Sequence, residues 1–161
     1  MSIQRPVTGT TNCPVTGKTY VVGHPDAPTP PMDAGDRFVD GEGATIKCSV
    51  KASSSGFAFS GTITAPSSEK DPVTVSFTNG AISADKVNGT ATVYVYTKEV
   101  QGFTSTAPCT VTVVSTNVKP GSLWATFSCP SIKDPTMPQE CSIGPVGQTI
   151  SNFVFENCDG S

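Results

Sequence analysis

Much of what this 161-residue chain tells is in what it has little of. Charged residues make up only 14%, well under the roughly 25% of ordinary soluble domains. Ten Lys and Arg stand against thirteen Asp and Glu, for a net charge of -3. No basic cluster is present, and without a Lys/Arg stripe to displace phosphate counterions a nucleic-acid partner is excluded. No apolar run approaches the roughly 20 residues of a membrane-spanning helix, so no transmembrane segment is expected. The single histidine, His24, sits beside Pro25 in a proline-rich segment. Nucleophilic catalysis needs a base held rigidly against its nucleophile, which such a segment does not offer. G-x-S-x-G, H-E-x-x-H and phosphate-cradling glycine motifs are also missing. No stretch carries a helical period. The chain reads as all-β and not as an enzyme.

What is abundant agrees. Thr, Ser, Gly and Pro replace the missing charges, as suits pleated strands joined by tight turns. At this length one domain buries roughly 70% of its unfolded surface, enough for a core of its own. Six cysteines, Cys13, Cys48, Cys109, Cys129, Cys141 and Cys158, are scattered without a close pair. Zinc sites favour close pairs, so three disulfides and an oxidising compartment are the expectation. Six cysteines admit fifteen pairings, among which spacing does not choose. Residues Met1 to Arg5 lead into no apolar segment; Met1 is read as a start that replaces an export signal.

Residues 1–43 form an extended N-terminal segment with a short strand at Lys18–Gly23 and four prolines within His24–Met32. This segment is expected either to dock on its own domain or to act as a donor arm for a neighbouring copy. Asp33, Asp36, Asp40 and Glu42 make its acidic end. Four carboxylates between glycines can wrap calcium, although their spacing is not that of an EF-hand, and a solvated turn is the plainer reading. No other cofactor is expected.

From residue 44 to 161 a period of two dominates. Ile46/Cys48/Val50, Phe57/Phe59/Gly61/Ile63, Val73/Val75/Phe77 and Ala91/Val93/Val95 each mark one strand face. Cys109/Val111/Val113 and Leu123/Ala125/Phe127/Cys129 mark two more, joined at Lys119-Pro120-Gly121. Asn79-Gly80 predicts a hairpin turn, because both turn positions need positive φ. Asn88-Gly89-Thr90 fits the glycosylation pattern, but Asn-Gly is read as a turn into the next strand. Pro130 lacks a donor and predicts a strand end at Cys129, followed by a long loop over 130–148 and a last strand in Thr149–Cys158. About seven to nine short strands predict an antiparallel β-sandwich, immunoglobulin-like or Greek-key, stapled by three disulfides.

Parity sets Tyr94, Tyr96 and Trp124 opposite the apolar faces, beside Thr92, Thr126 and Ser128. Aromatics flanked by hydroxyls stack on sugar rings or anchor protein contacts. These three residues are the candidate binding set. A carboxylate pair for glycoside hydrolysis would have to come from Glu42, Asp71, Asp85, Glu99 and Glu156, with no pair favoured.

Three motifs carry a family likeness: Pro108–Val113 (PCTVTV), Pro120–Pro130 (PGSLWATFSCP) and Phe153–Cys158 (FVFENC). Over about 44–158 the chain resembles exported, lipoprotein-type β-domain proteins of predatory soil bacteria such as the myxobacteria. That resemblance implies a secreted, periplasmic or outer-surface location and transfers no functional residue. Thr11-Asn12 before Cys13 is not a lipobox, so a lipid anchor would lie upstream. The expected role is a non-catalytic structural or interaction module of the cell envelope, such as a filament subunit. Its partner is expected to be a protein or a second copy; a carbohydrate-binding module is the alternative, and a hydrolase comes third.

Overall fold

The computed structural model describes residues 2–4, 13–14, 18–19, 45–66, 72–114, 118–144 and 151–160. These contain eleven strands and no helix: β1 (Ser2–Gln4), β2 (Lys18–Thr19), β3 (Thr45–Ser53), β4 (Gly56–Pro66), β5 (Pro72–Ser83), β6 (Asn88–Tyr96), β7 (Phe103–Ser105), β8 (Cys109–Val113), β9 (Leu123–Lys133), β10 (Glu140–Ile143) and β11 (Ser151–Phe155). The all-β, antiparallel class and the three disulfides are as the sequence predicts. Hydrogen bonding draws one continuous network, in the order β2-β1-β10-β9-β7-β6-β5-β4-β3. Strand β8 pairs with both β6 and β9, and β11 adds to β9.

The period-two faces point inward as read. Val73, Val75 and Phe77 on β5, Ala91, Val93 and Val95 on β6, and Leu123, Ala125 and Phe127 on β9 are all buried. At the centre lies a phenylalanine cluster. Phe77 meets Phe153 at 4.3 Å, Phe127 at 5.1 Å and Phe155 at 5.7 Å between ring centroids. Phe59 stacks on Phe153 at 5.9 Å. Strands β4 and β5 share no hydrogen bonds with β9 or β11, so these rings join distant parts of the sheet face to face.

The β3 end of the network is also tied back to the segment after β11. Beyond β11, the Asp159 amide donates to the Cys48 carbonyl at 3.1 Å, and the Val50 amide donates to the Asp159 carbonyl at 2.9 Å. Gly121 in the β8–β9 turn donates to the Val50 carbonyl at 2.8 Å, and Cys158 donates to the Gly121 carbonyl at 3.0 Å. A Cys48–Cys158 disulfide fixes the junction. Cys13 pairs with Cys141, and Cys109 with Cys129 across the β8–β9 ladder. The described part of the N-terminal segment is thus held within its own chain, through β1 on β10 and through Cys13.

Four local readings are corrected. Asn79-Gly80 does not turn the chain. Asn79 has φ 51, as the motif implies, but it forms a bulge within β5, where pairing slips against both β4 and β6. The hairpin instead turns over 84–87, with Lys86 at φ 58. Asn88-Gly89 is not a turn either: both residues lie within β6, opposite Thr112 and Val111. Gly89 is required there because a side chain would strike the Ala81 carbonyl.

Strand β9 does not stop at Cys129 but runs to Lys133. Pro130 is tolerated because β9 changes partners around it, from β8 to β7 on one flank and from β11 to β10 on the other. A residue without a donor costs no ladder bond at such a break. Residues 130–148 are accordingly not one loop, since they hold the end of β9 and all of β10.

Candidate functional site

Outer-face residues of β4, β5 and β6 build the most regular feature of the described surface. Register places Thr64 opposite Thr74, which faces Tyr96, and Thr62 opposite Ser76, which faces Tyr94. The hydroxyls meet across the strands: Thr62 Oγ1 and Ser76 Oγ lie 2.9 Å apart, Thr64 Oγ1 and Thr74 Oγ1 3.1 Å. Each row runs on to a tyrosine, and each tyrosine is 37% exposed. Residues two apart on a strand share a face at about 7 Å, so the two rings stand side by side. Beyond Tyr94, Thr104 of β7 continues the row. The Tyr94 hydroxyl reaches over Gly102, 3.8 Å from where a Cβ would stand.

Over β4–β6 this face carries no charge. Outward positions of β4, from Ala58 to Thr64, and of β6, from Thr92 to Tyr96, hold small, hydroxyl or aromatic side chains. Lysines flank it on both sides, Lys47 of β3 opposite Thr62 and Lys133 of β9 opposite Thr104. The surface can therefore donate and accept hydrogen bonds and offer two aromatic edges and faces.

Trp124 lies elsewhere. Its parity is as expected, opposite Leu123 and Ala125 on β9, and it is only partly buried. Tyr94 pairs with Thr104, however, and Thr104 pairs with Lys133. Trp124 is nine residues from Lys133 on the same strand, which is roughly 30 Å. The tyrosine pair and the tryptophan occupy opposite ends of the sheet. The Trp124 indole N–H is buried and has no hydrogen-bond partner among the described residues.

Of the remaining candidates, Asp85 and Glu99 do not meet. Asp85 and Glu99 flank β6 at its two ends, so nine strand residues, roughly 30 Å, lie between them. Glycoside hydrolysis needs carboxylates within about 10 Å. Glu156 follows β11, and its carbonyl oxygen sits 3.9 Å from Cys158 Sγ. His24, Asp33, Asp36, Asp40, Glu42 and Asp71 lie outside the described residues. Among the described residues no three His, Cys, Asp or Glu side chains gather as metal ligands. No helix there is long and apolar enough to cross a membrane.

Against family models, curated proteins and solved structures the chain matches none. What the sequence did not disclose is the junction of Cys48, Val50, Gly121, Cys158 and Asp159. Its only advance signal was the pair of cysteines, whose pairing spacing leaves open. The hydroxyl rows were half legible: parity placed each Thr and Ser on the outer face, and register alone aligned them.

Proposed function

We propose that this chain is a non-catalytic interaction module of an oxidising, extracytoplasmic compartment, a structural or surface-assembly unit whose contact surface is the hydroxyl–tyrosine face of β4–β6. The supporting observation is the exposed pair Tyr94 and Tyr96 on two aligned hydroxyl rows. Tyrosine supplies large contact area with a polar tip at low side-chain entropy, which is why interfaces use it. Three disulfides suit a compartment without a reducing thiol pool.

A second reading, a carbohydrate-binding module for a neutral polysaccharide, is favoured by the lack of charge and by the flat rings beside hydroxyls. It uses the tyrosine pair without Trp124. Both readings are tested with Tyr94→Ala/Tyr96→Ala. Self-association is followed by sedimentation velocity, and retention by cosedimentation with insoluble neutral polysaccharides. Loss of either in the variant, with an unchanged circular dichroism spectrum, supports the corresponding reading. Wild type and variant behaving alike in both assays overturns the proposal.

A further inference from the structure

The three disulfides differ in where they sit. Cys109 is 0% exposed, Cys129 1%, Cys141 0% and Cys13 8%. Cys48 and Cys158 are both partly exposed, at the margin of the core. That bond alone joins β3 to the segment following β11. Around it the junction includes four backbone hydrogen bonds, Asp159 to Cys48, Val50 to Asp159, Gly121 to Val50 and Cys158 to Gly121, and the Ser49 hydroxyl donates to the Asp159 carbonyl at 3.1 Å. One ion pair is added, Lys51 Nζ to Asp159 at 3.2 Å, with both side chains about half exposed. Exposed pairs of this kind hold little. No buried side chain of residues 156–160 supports the junction.

We propose that Cys48–Cys158 is a redox-operated clasp, reduced by an external dithiol ahead of the other two disulfides, and that its reduction releases residues 156–160 from β3. A thiolate of the dithiol attacks one sulfur of the pair, forms a mixed disulfide and expels the other cysteine as a thiolate. The second thiol of the dithiol then displaces the mixed disulfide. The Cys48–Cys158 bond breaks, a disulfide forms in the reductant, and the two cysteines take up the two protons the dithiol gives up. Access decides the order, because an attacking thiolate must reach a sulfur in line, and a fully buried bond waits for the core to open.

Release leaves the Cys48 carbonyl and the Val50 amide unpaired on an outward-facing strand edge, while the Val50 carbonyl keeps its bond from Gly121. Such an edge is a template for another strand. The clasp thereby links the redox state of one bond to whether β3 is covered or open. The core lies away from it, with Phe77, Phe127 and Phe153 packed between β5, β9 and β11.

The test is limited reduction of the intact protein with dithiothreitol, followed by iodoacetamide trapping and peptide mass spectrometry. Cys48 and Cys158 are expected to take label about tenfold or more ahead of Cys109 and Cys129. In the species reduced only at the clasp, hydrogen exchange should show lost protection at the Val50, Cys158 and Asp159 amides and retained protection at Val93 and Val95. Cys48→Ser/Cys158→Ser, with the other two disulfides oxidised, should reproduce that exchange pattern. If that variant does not fold, the labelling order and exchange of the wild-type protein decide. Simultaneous reduction of all three bonds overturns the proposal, as does earlier labelling of Cys109 or persistence of the three protections after clasp reduction.

Discussion

Phe77 of β5 and Phe153 of β11 lie with ring centroids 4.3 Å apart, although their strands exchange no hydrogen bond. Phe77 is 1% exposed and also touches Phe59, Phe127 and Phe155. It is the point where faces from four strands converge. Phe77→Ala should therefore cost about 3–5 kcal/mol, the range for emptying a buried phenylalanine site. Urea denaturation should show a lowered midpoint at an unchanged slope. Tyr94→Ala, on the outer face, should stay within about 0.5 kcal/mol.

Gly61 of β4 stands directly against the Phe155 ring, which would occupy the space of an added methyl group. Phe155 is fully buried and has nowhere to move. Gly61→Ala should destabilise by about 1–3 kcal/mol through overpacking. Combined with Phe155→Leu, which trims the ring, the two changes should be less harmful than their sum. A double-mutant cycle measured by chemical denaturation checks this coupling.

The bulge at Asn79 makes a prediction that a hairpin turn there would share only in part. With φ at 51, Asn79→Gly should be neutral or mildly stabilising, while Asn79→Val should cost about 1–2 kcal/mol. A bulge tolerates Gly80 substitution poorly for a different reason: the Phe59 ring and carbonyl stand where its side chain would go. Gly80→Ala should thus be destabilising although Gly80 has no positive φ. Thermal melts of the three variants test the pair of claims.

Two exposed carboxylates shape the acid limb of stability. Ser83 Oγ, and then the Val87 amide at 3.1 Å, donate to Asp85 and hold its carboxyl below the ordinary 3.8. Thr136 does the same for Asp134, through its hydroxyl at 2.6 Å and its amide at 2.8 Å. A carboxyl depressed in the folded state contributes fully above its unfolded value and loses that contribution as pH falls through the lowered folded value. Melting temperature should consequently hold down to near that ordinary value and drop below it. Asp85→Asn/Asp134→Asn should show a shallower drop. Identical acid limbs in the two proteins would show that these turns add nothing to folding.

Strands and their faces were legible because side-chain direction along a strand is a local property with a period of two. Val73/Val75/Phe77 and Leu123/Ala125/Phe127 needed no partner to declare themselves. Partner order, register and disulfide pairing depend on residues far apart, and no local pattern holds them. Asn79 illustrates the boundary: its positive φ was readable, but whether that φ closes a hairpin or relieves a bulge depends on β4 and β6. Pro130 is similar, since its missing donor was plain and the partner exchange that accommodates it was not. For the candidate site, parity found Tyr94, Tyr96 and Trp124 on outer faces. Parity says nothing of position along a sheet, so it grouped a tryptophan with tyrosines that stand at the other end.

Closure of β3 by Cys158 and Asp159 has a consequence for how the molecule comes into being. Ser49 and Asp159 meet across a sequence separation of 110 residues, the kind of contact that makes folding slow. During synthesis, strands β3 to β6 emerge long before the segment that completes their edge, and Phe59 and Phe77 wait for Phe153. The nascent polypeptide is therefore held in an unfinished state until its last strand has been delivered. On that schedule the Cys48 thiol stays without its partner until Cys158 arrives, 110 residues later.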